Sequence, residues 1–208
     1  MAYIGQDAWL HNGGSTVQLG YTGGAYEQTP GGRRETWVSG MNSQGMVTGY
    51  SFRYIAGNFG GSDAWRYSGG STQQLGFTGA GYVQSNGYRY SETEAINDLG
   101  HVTGFSRRYS GTTYLGEDAW LYNGSSTNQL GFTGASYAQT NGYRFSAAQF
   151  LNQSSQVAGY SARYNGTADH GRDAWLYSGG ITTQLGFTGA GYARTTGYRF
   201  SEVTALND

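Results

Sequence analysis

Apolar and polar positions alternate with a period of two through the stretch Asp118 to Gly134, DAWLYNGSSTNQLGFTG, and no segment of the chain carries a sustained 3.6-residue apolar period. Side chains of a strand point to opposite faces in turn, so this alternation predicts half-buried strands and essentially no helix. The Asn123-Gly124 pair interrupts the alternation with residues that tolerate positive φ, which predicts a hairpin. Near-copies of the stretch begin at Asp7, Asp63 and Asp173, at spacings of 56, 55 and 55 residues. A unit recurring at such a period is a supersecondary module that buries its apolar face against its neighbours.

Two further segments complete each unit. Gly76 to Glu92, GFTGAGYVQSNGYRYSE, matches Gly131 to Ser146 and Gly186 to Glu202, and its Gly and Asn-Gly signals predict a loop or short outer hairpin. In the first repeat Pro30-Gly31-Gly32-Arg33 stands where Asn-Gly-Tyr-Arg is expected, so that copy is remodelled. Next comes Ala95-Ile96-Asn97, a turn at Asp98-Leu99-Gly100, and Val102-Thr103-Gly104-Phe105, with counterparts at Met41-Asn42 and Val47 to Tyr50, and at Leu151-Asn152 and Val157 to Tyr160. Four strands per repeat of about 55 residues predict an all-β, four-repeat, β-propeller-like domain, since a propeller blade is a four-stranded unit. A β-solenoid is the structural alternative. The expected layout is one domain over 1–208, with 1–6 as the tail of a preceding repeat and repeats at 7–62, 63–117, 118–172 and 173–208. The fourth repeat stops at Asp208, short of the equivalent of Leu99 to Thr112, a segment of 14 residues. The expectation is an incomplete closing blade or an excerpt of a longer array.

The pattern Ala95-Ile96-Asn97-x-x-Gly100-x-Val102-x-Gly104-x-Ser106, followed by Ala119-Trp120, Gly124 and Leu130-Gly131, resembles the bacterial extracellular repeat family called HAF over essentially the whole chain. The resemblance implies a secreted or cell-surface bacterial protein with a propeller-like fold and no established catalytic residues. The long GYxQxNGYRF insertion departs from the family, so a role seated there is not inherited.

Charge and composition narrow the partners. Charged residues make up 12% and the net charge is −1, which excludes the electrostatic footprint of a nucleic-acid binder. No run of 18 apolar residues is present, so membrane insertion through a helix is not expected. All 12 basic residues are Arg, beside 19 Tyr, which favours guanidinium stacking on rings. There is no Cys, so neither disulfides nor thiolate chemistry enter. The three histidines, His11, His101 and His170, occupy non-equivalent repeat positions, and no metal-ligand or nucleophile motif occurs, so neither cofactor nor metal is expected.

Asp7, Asp63, Asp118 and Asp173 recur once per repeat, and a lone carboxylate in a tight turn is expected to accept backbone N–H groups. Trp9, Trp65, Trp120 and Trp175 recur likewise and are expected to pack between repeats. Arg53-Tyr54, Arg108-Tyr109 and Arg163-Tyr164 read as guanidinium stacked on a neighbouring ring. The insertions carry the recognition chemistry: Tyr82, Gln84, Asn86, Tyr88 and Arg89, then Tyr137, Gln139, Asn141, Tyr143 and Arg144, then Tyr192, Tyr198 and Arg199, with Arg194 and Thr196 in place of two amides. Rings with amide and guanidinium donors suit the C–H faces and hydroxyls of sugars, and the competing reading is that the tyrosines only cover a sheet edge. The expected function is a non-catalytic extracellular or cell-surface module binding glycans or other copies of the chain. A structural, self-assembling surface protein is the alternative. A glycoside hydrolase would need a convergent pair such as Asp173 with Glu202 or Asp118 with Glu92.

Overall fold

The computed structural model describes residues 4–208 and is built from strands, with three single 3₁₀ turns at Gly24–Tyr26, Ala135–Tyr137 and Ala190–Tyr192. In chain order the strands are β1 (Gly5–Gln6), β2 (Ala8–His11), β3 (Thr16–Leu19), β4 (Arg34–Met41), β5 (Val47–Ile55), β6 (Asn58–Ser68), β7 (Ser71–Gln74), β8 (Arg89–Ile96), β9 (Val102–Ser110), β10 (Thr113–Tyr122), β11 (Thr127–Gln129), β12 (Arg144–Leu151), β13 (Val157–Asn165), β14 (Ala168–Ser178), β15 (Ile181–Gln184) and β16 (Arg199–Phe200). The expected hairpins are there: β6 with β7, β10 with β11 and β14 with β15, all antiparallel. Within a unit β8, β9, β10 and β11 pair in sequence, and β4 to β7 and β12 to β15 repeat the order. The all-β reading therefore holds. Among the described residues the main strand order runs from β1 to β15 without returning to its start.

Consecutive units are stitched by a two-residue parallel pairing, Gly61 with Arg89, Gly116 with Arg144 and Gly171 with Arg199. Glycine is required there. Its φ lies between +90° and +99°, and a Cβ would come within 1.9 Å of the paired arginine's carbonyl oxygen. Gly5 pairs with Arg34 in the same way, so residues 5 and 6 form the same stitch that precedes every other unit, while residues 1–3 of the expected tail lie outside the described residues.

The core is assembled between units, as the tryptophan spacing predicts for three of its four copies. Ala64 and Leu75 of one hairpin pack with Val102 and Trp120 of the next unit, and Ala119 and Leu130 pack with Val157 and Trp175 in the same manner. Trp65, Trp120 and Trp175 are fully buried, whereas Trp9 is 65% exposed. A second seam runs along the turns. The Asn42 amide donates to the Asn97 carbonyl at 2.9 Å, Asn97 to Asn152 at 3.1 Å, and Asn152 to Asn207 at 2.7 Å, each step spanning 55 residues. The Oδ1 of Asn97 also accepts the N–H groups of Leu99 and His101, so one side chain closes its own turn and binds the next unit.

Candidate functional site

The recurring aspartates are buried, and they do not accept backbone N–H groups as the sequence reading expected. Asp118 is 1% exposed. It takes two charge-assisted bonds from the Arg144 fork, Nε at 2.7 Å and Nη2 at 2.6 Å, and a third from the Tyr82 hydroxyl at 2.6 Å. Arg108 Nε lies 3.3 Å from the same carboxylate. Asp63 is held identically by Arg89, Tyr26 and Arg53, and Asp173 by Arg199, Tyr137 and Arg163. Side-chain donors win because a buried carboxylate needs compensating positive charge, which a backbone N–H cannot supply. Asp7 is the exception: it is paired with Arg34 at 2.9 Å and stays partly exposed. Arg34, not Arg33, thus occupies the place of Arg89, and Arg33 turns to Glu35 instead.

The second arginine of each cluster departs from its expected stacking role. Arg53, Arg108 and Arg163 donate through Nη1 to the carbonyls of Gly87, Gly142 and Gly197 at 3.0, 2.8 and 3.1 Å, which fastens the insertion loop to its sheet. Ring stacking falls to other arginines: Arg107 sits 3.9 Å from the Tyr90 ring centroid and Arg172 4.3 Å from that of Tyr160.

Burial pushes the Tyr137 hydroxyl up to about 12, helped by its bond to the Asp173 carboxylate, and Tyr26 and Tyr82 shift upward for the same reasons. A tyrosine whose folded pKa exceeds its unfolded value stabilises the fold fully below pH 10 and loses that contribution as pH rises toward 12. Chemical denaturation at pH 8 and at pH 11 should therefore show a lower midpoint at the higher pH, and Tyr137→Phe should reduce this dependence by its own share, Tyr26 and Tyr82 keeping theirs. A midpoint independent of pH would dissociate the hydroxyls from stability.

The proposed sugar-binding residues take different places. Tyr82, Tyr137, Arg89, Arg144 and Arg199 are engaged in the aspartate clusters. Asn86 and Asn141 shape the loop, accepting the N–H of Tyr88 and Tyr143 at 3.0 and 2.9 Å, and Thr196 makes only a 3.5 Å version of that bond. Gln84, Gln139, Tyr88, Tyr143 and Tyr198 instead line clefts on the surface. Tyr192 is exposed, stacks on Phe187 at 4.6 Å and lines a cleft with Tyr198 and Arg199.

Clefts recur along the units, and one of about 390 Å³ at the last insertion is lined by Tyr192, Arg194, Tyr198, Arg199 and Phe200. Gln28, Arg33, Phe52, Tyr54 and Phe59 line the first, of about 460 Å³. Gln84, Tyr88, Arg107, Tyr109 and Tyr114 line the second, of about 320 Å³. The third, of about 520 Å³, is lined by Gln139, Tyr143, Tyr164, Asp169, Arg172 and Tyr198 together with Tyr160 and Phe200. Its rings meet edge to face, Tyr143 against Tyr164 at 6.0 Å, which leaves a corner of aromatic faces. Sequence reasoning missed Tyr109, Tyr164, Arg107 and Arg172, because the strands that carry them look architectural. For Tyr109 and Tyr164 the signal was the Arg-Tyr pair near the end of β9 and β13; nothing in the pattern around Arg172 marked it.

The carboxylates considered for hydrolysis have donors: Glu202 pairs with Arg172 at 2.9 Å, and Glu92 accepts the Tyr90 hydroxyl. No cluster of three His, Cys, Asp or Glu side chains suited to a metal lies among the described residues.

No protein-family model matches the chain, and no curated protein does. Among solved structures it is similar to the β-propeller domain of the trilobed protease from Pyrococcus furiosus, at 9% identity and a TM-score of 0.38, over 72% of this chain and 39% of that one. The chain thus spans about two fifths of that structure's length.

Proposed function

We propose that this chain is a non-catalytic, propeller-like repeat domain that binds glycans in the clefts between its units. The observation that carries the reading is the third cleft, where the rings of Tyr143, Tyr164 and Tyr198 meet the Gln139 amide, the Asp169 carboxylate and the Arg172 guanidinium in a volume usual for small-molecule sites. Aromatic faces stack on sugar C–H surfaces, and the three polar groups supply both donors and acceptors for hydroxyls. The HAF resemblance, read from the Ala-x-Asn and Val-x-Gly repeats, supports a place outside a bacterial cell. The sites are graded. Phe52 and Phe59 give the first cleft fewer hydroxyl partners than Arg107 and Tyr114 give the second, and the third has contributions from two insertions. Several weak sites on one rigid scaffold gain avidity toward a polymeric glycan.

A glycan array followed by calorimetry tests this. Tyr143→Ala should weaken binding of the best oligosaccharide by about tenfold, the usual loss for one stacked ring. Tyr143→Phe should keep most of the affinity. Unchanged binding in Tyr143→Ala, or a melting temperature that falls in a protein with no glycan affinity to lose, would reduce these rings to packing.

A further inference from the structure

The hairpin of β2 and β3 differs from its three counterparts in one respect. β6, β10 and β14 each have an antiparallel neighbour on both long edges, whereas among the described residues β2 pairs only with β3, which leaves the other edge of the hairpin open. The three complete copies show what belongs on that edge. Gly49 lies opposite Trp65, Gly104 opposite Trp120 and Gly159 opposite Trp175. The indoles lie so close that a Cβ on these glycines would come within 2.4–2.7 Å of the ring. Two residues on, Ser51, Ser106 and Ser161 face Asp63, Asp118 and Asp173. Two further on, Arg53, Arg108 and Arg163 reach the same carboxylates at 3.2–3.3 Å.

The open hairpin displays the matching half of each contact. Trp9 is 65% exposed, and Asp7 is held by Arg34 but lacks the second arginine that the buried aspartates have. We infer that the free edge of β2 is a strand-accepting site, and that its ligand is an extended polypeptide of the repeat's own pattern, Gly-aromatic-Ser-x-Arg, added antiparallel with its glycine opposite Trp9 and its arginine on Asp7. Backbone ladder bonds supply affinity and are blind to sequence, as in other strand-addition modes. Specificity comes from the glycine, the one residue that lets the indole lie flat on the strand, and from the arginine, whose charge completes the carboxylate. The strands β5, β9 and β13 are already paired on both sides, so the ligand is a strand of this pattern other than those three. The site shares no residue with the aromatic clefts, and its fate is independent of the glycan reading.

The probe is a synthetic 14-residue peptide with the sequence of Leu99 to Thr112, titrated against the intact chain while tryptophan emission is followed. The expected result is saturable binding with a blue shift that disappears in Trp9→Phe, because only that indole passes from water to a covered edge. A peptide carrying Gly104→Ile should bind at least tenfold more weakly. A peptide carrying Arg108→Ala and a protein carrying Asp7→Asn should each lose about fivefold, in the range of a partly exposed ion pair, and together lose no more than either alone. Changing the peptide leaves the fold of the protein untouched, so loss of binding there cannot be misfolding. Absence of the Trp9-dependent shift, or equal binding by the Gly104→Ile peptide, overturns the assignment.

Discussion

Asp118→Asn should lower stability by about 3 kcal/mol, the lower end of the cost of breaking a buried ion pair from one side. The carboxylate is 1% exposed and faces Arg144 and Arg108, so the neutral amide leaves two guanidinium groups drawn toward a site with no negative charge. Its NH₂ group also meets donors where acceptors are needed, and the 2.6 Å bond from Tyr82 is weakened or lost. The low end of the range applies because both arginines keep about a fifth of their side-chain surface in water. For a chain of this size the melting temperature should fall by about 6–12 °C. Asp7→Asn is the internal control: its carboxylate is 39% exposed and, among the described residues, paired with Arg34 alone, so the loss should stay below about 1 kcal/mol. Denaturant titrations of the two variants measure the difference. If Asp118→Asn proves as mild as Asp7→Asn, the clusters do not hold the units together, and Tyr82 and Arg144 return to the pool of possible ligand contacts.

These clusters mark the boundary of what was legible from the residues. Periodicity located the strands because alternation reports directly on which face is buried, and the Asn-Gly and Ser-Gly-Gly turns fixed the hairpins. The spacing of Trp65, Trp120 and Trp175 pointed to packing between units for the same reason. Partners distant in sequence were not legible. Arg144 lies 26 residues from Asp118, and nothing in the local pattern around GYRF distinguishes an arginine aimed inward at a carboxylate from one aimed at a sugar. The Asn42, Asn97, Asn152 and Asn207 ladder was in view as a spacing, yet its chemistry appears only when turns 55 residues apart are stacked. The clefts were half visible: Tyr88 and Tyr143 stood out in an insertion, while Tyr109 and Tyr164 were concealed in regular strands. Charge type was an informative clue. Arginine without lysine makes sense where each buried carboxylate needs a planar fork that satisfies both oxygens at once.

The other large effect concerns the core. Trp120→Ala should destabilise by about 3–5 kcal/mol, because the ring is fully buried between Ala64 and Leu75 of one unit and Val102 of its own. Truncation opens a void against the flat backbone at Gly104, which has no side chain of its own to fill it. Gly104→Ala should be costly too, its new Cβ meeting Trp120 Cζ2 at 2.4 Å and the Glu92 carbonyl oxygen at 2.2 Å. The second contact is with backbone, so removing the ring does not relieve it. The double variant Gly104→Ala with Trp120→Ala should therefore be less stable than Trp120→Ala alone; a rescue would mean the glycine is there only to admit the indole. Trp9→Ala should change stability by no more than about 0.5 kcal/mol, since its ring already lies in water. Four tryptophans in equivalent sequence positions are thus expected to give two different answers, decided by whether a Val-x-Gly strand lies against the ring. If Trp9→Ala proved as damaging as Trp120→Ala, that indole would be covered in solution and the open edge of β2 would not exist.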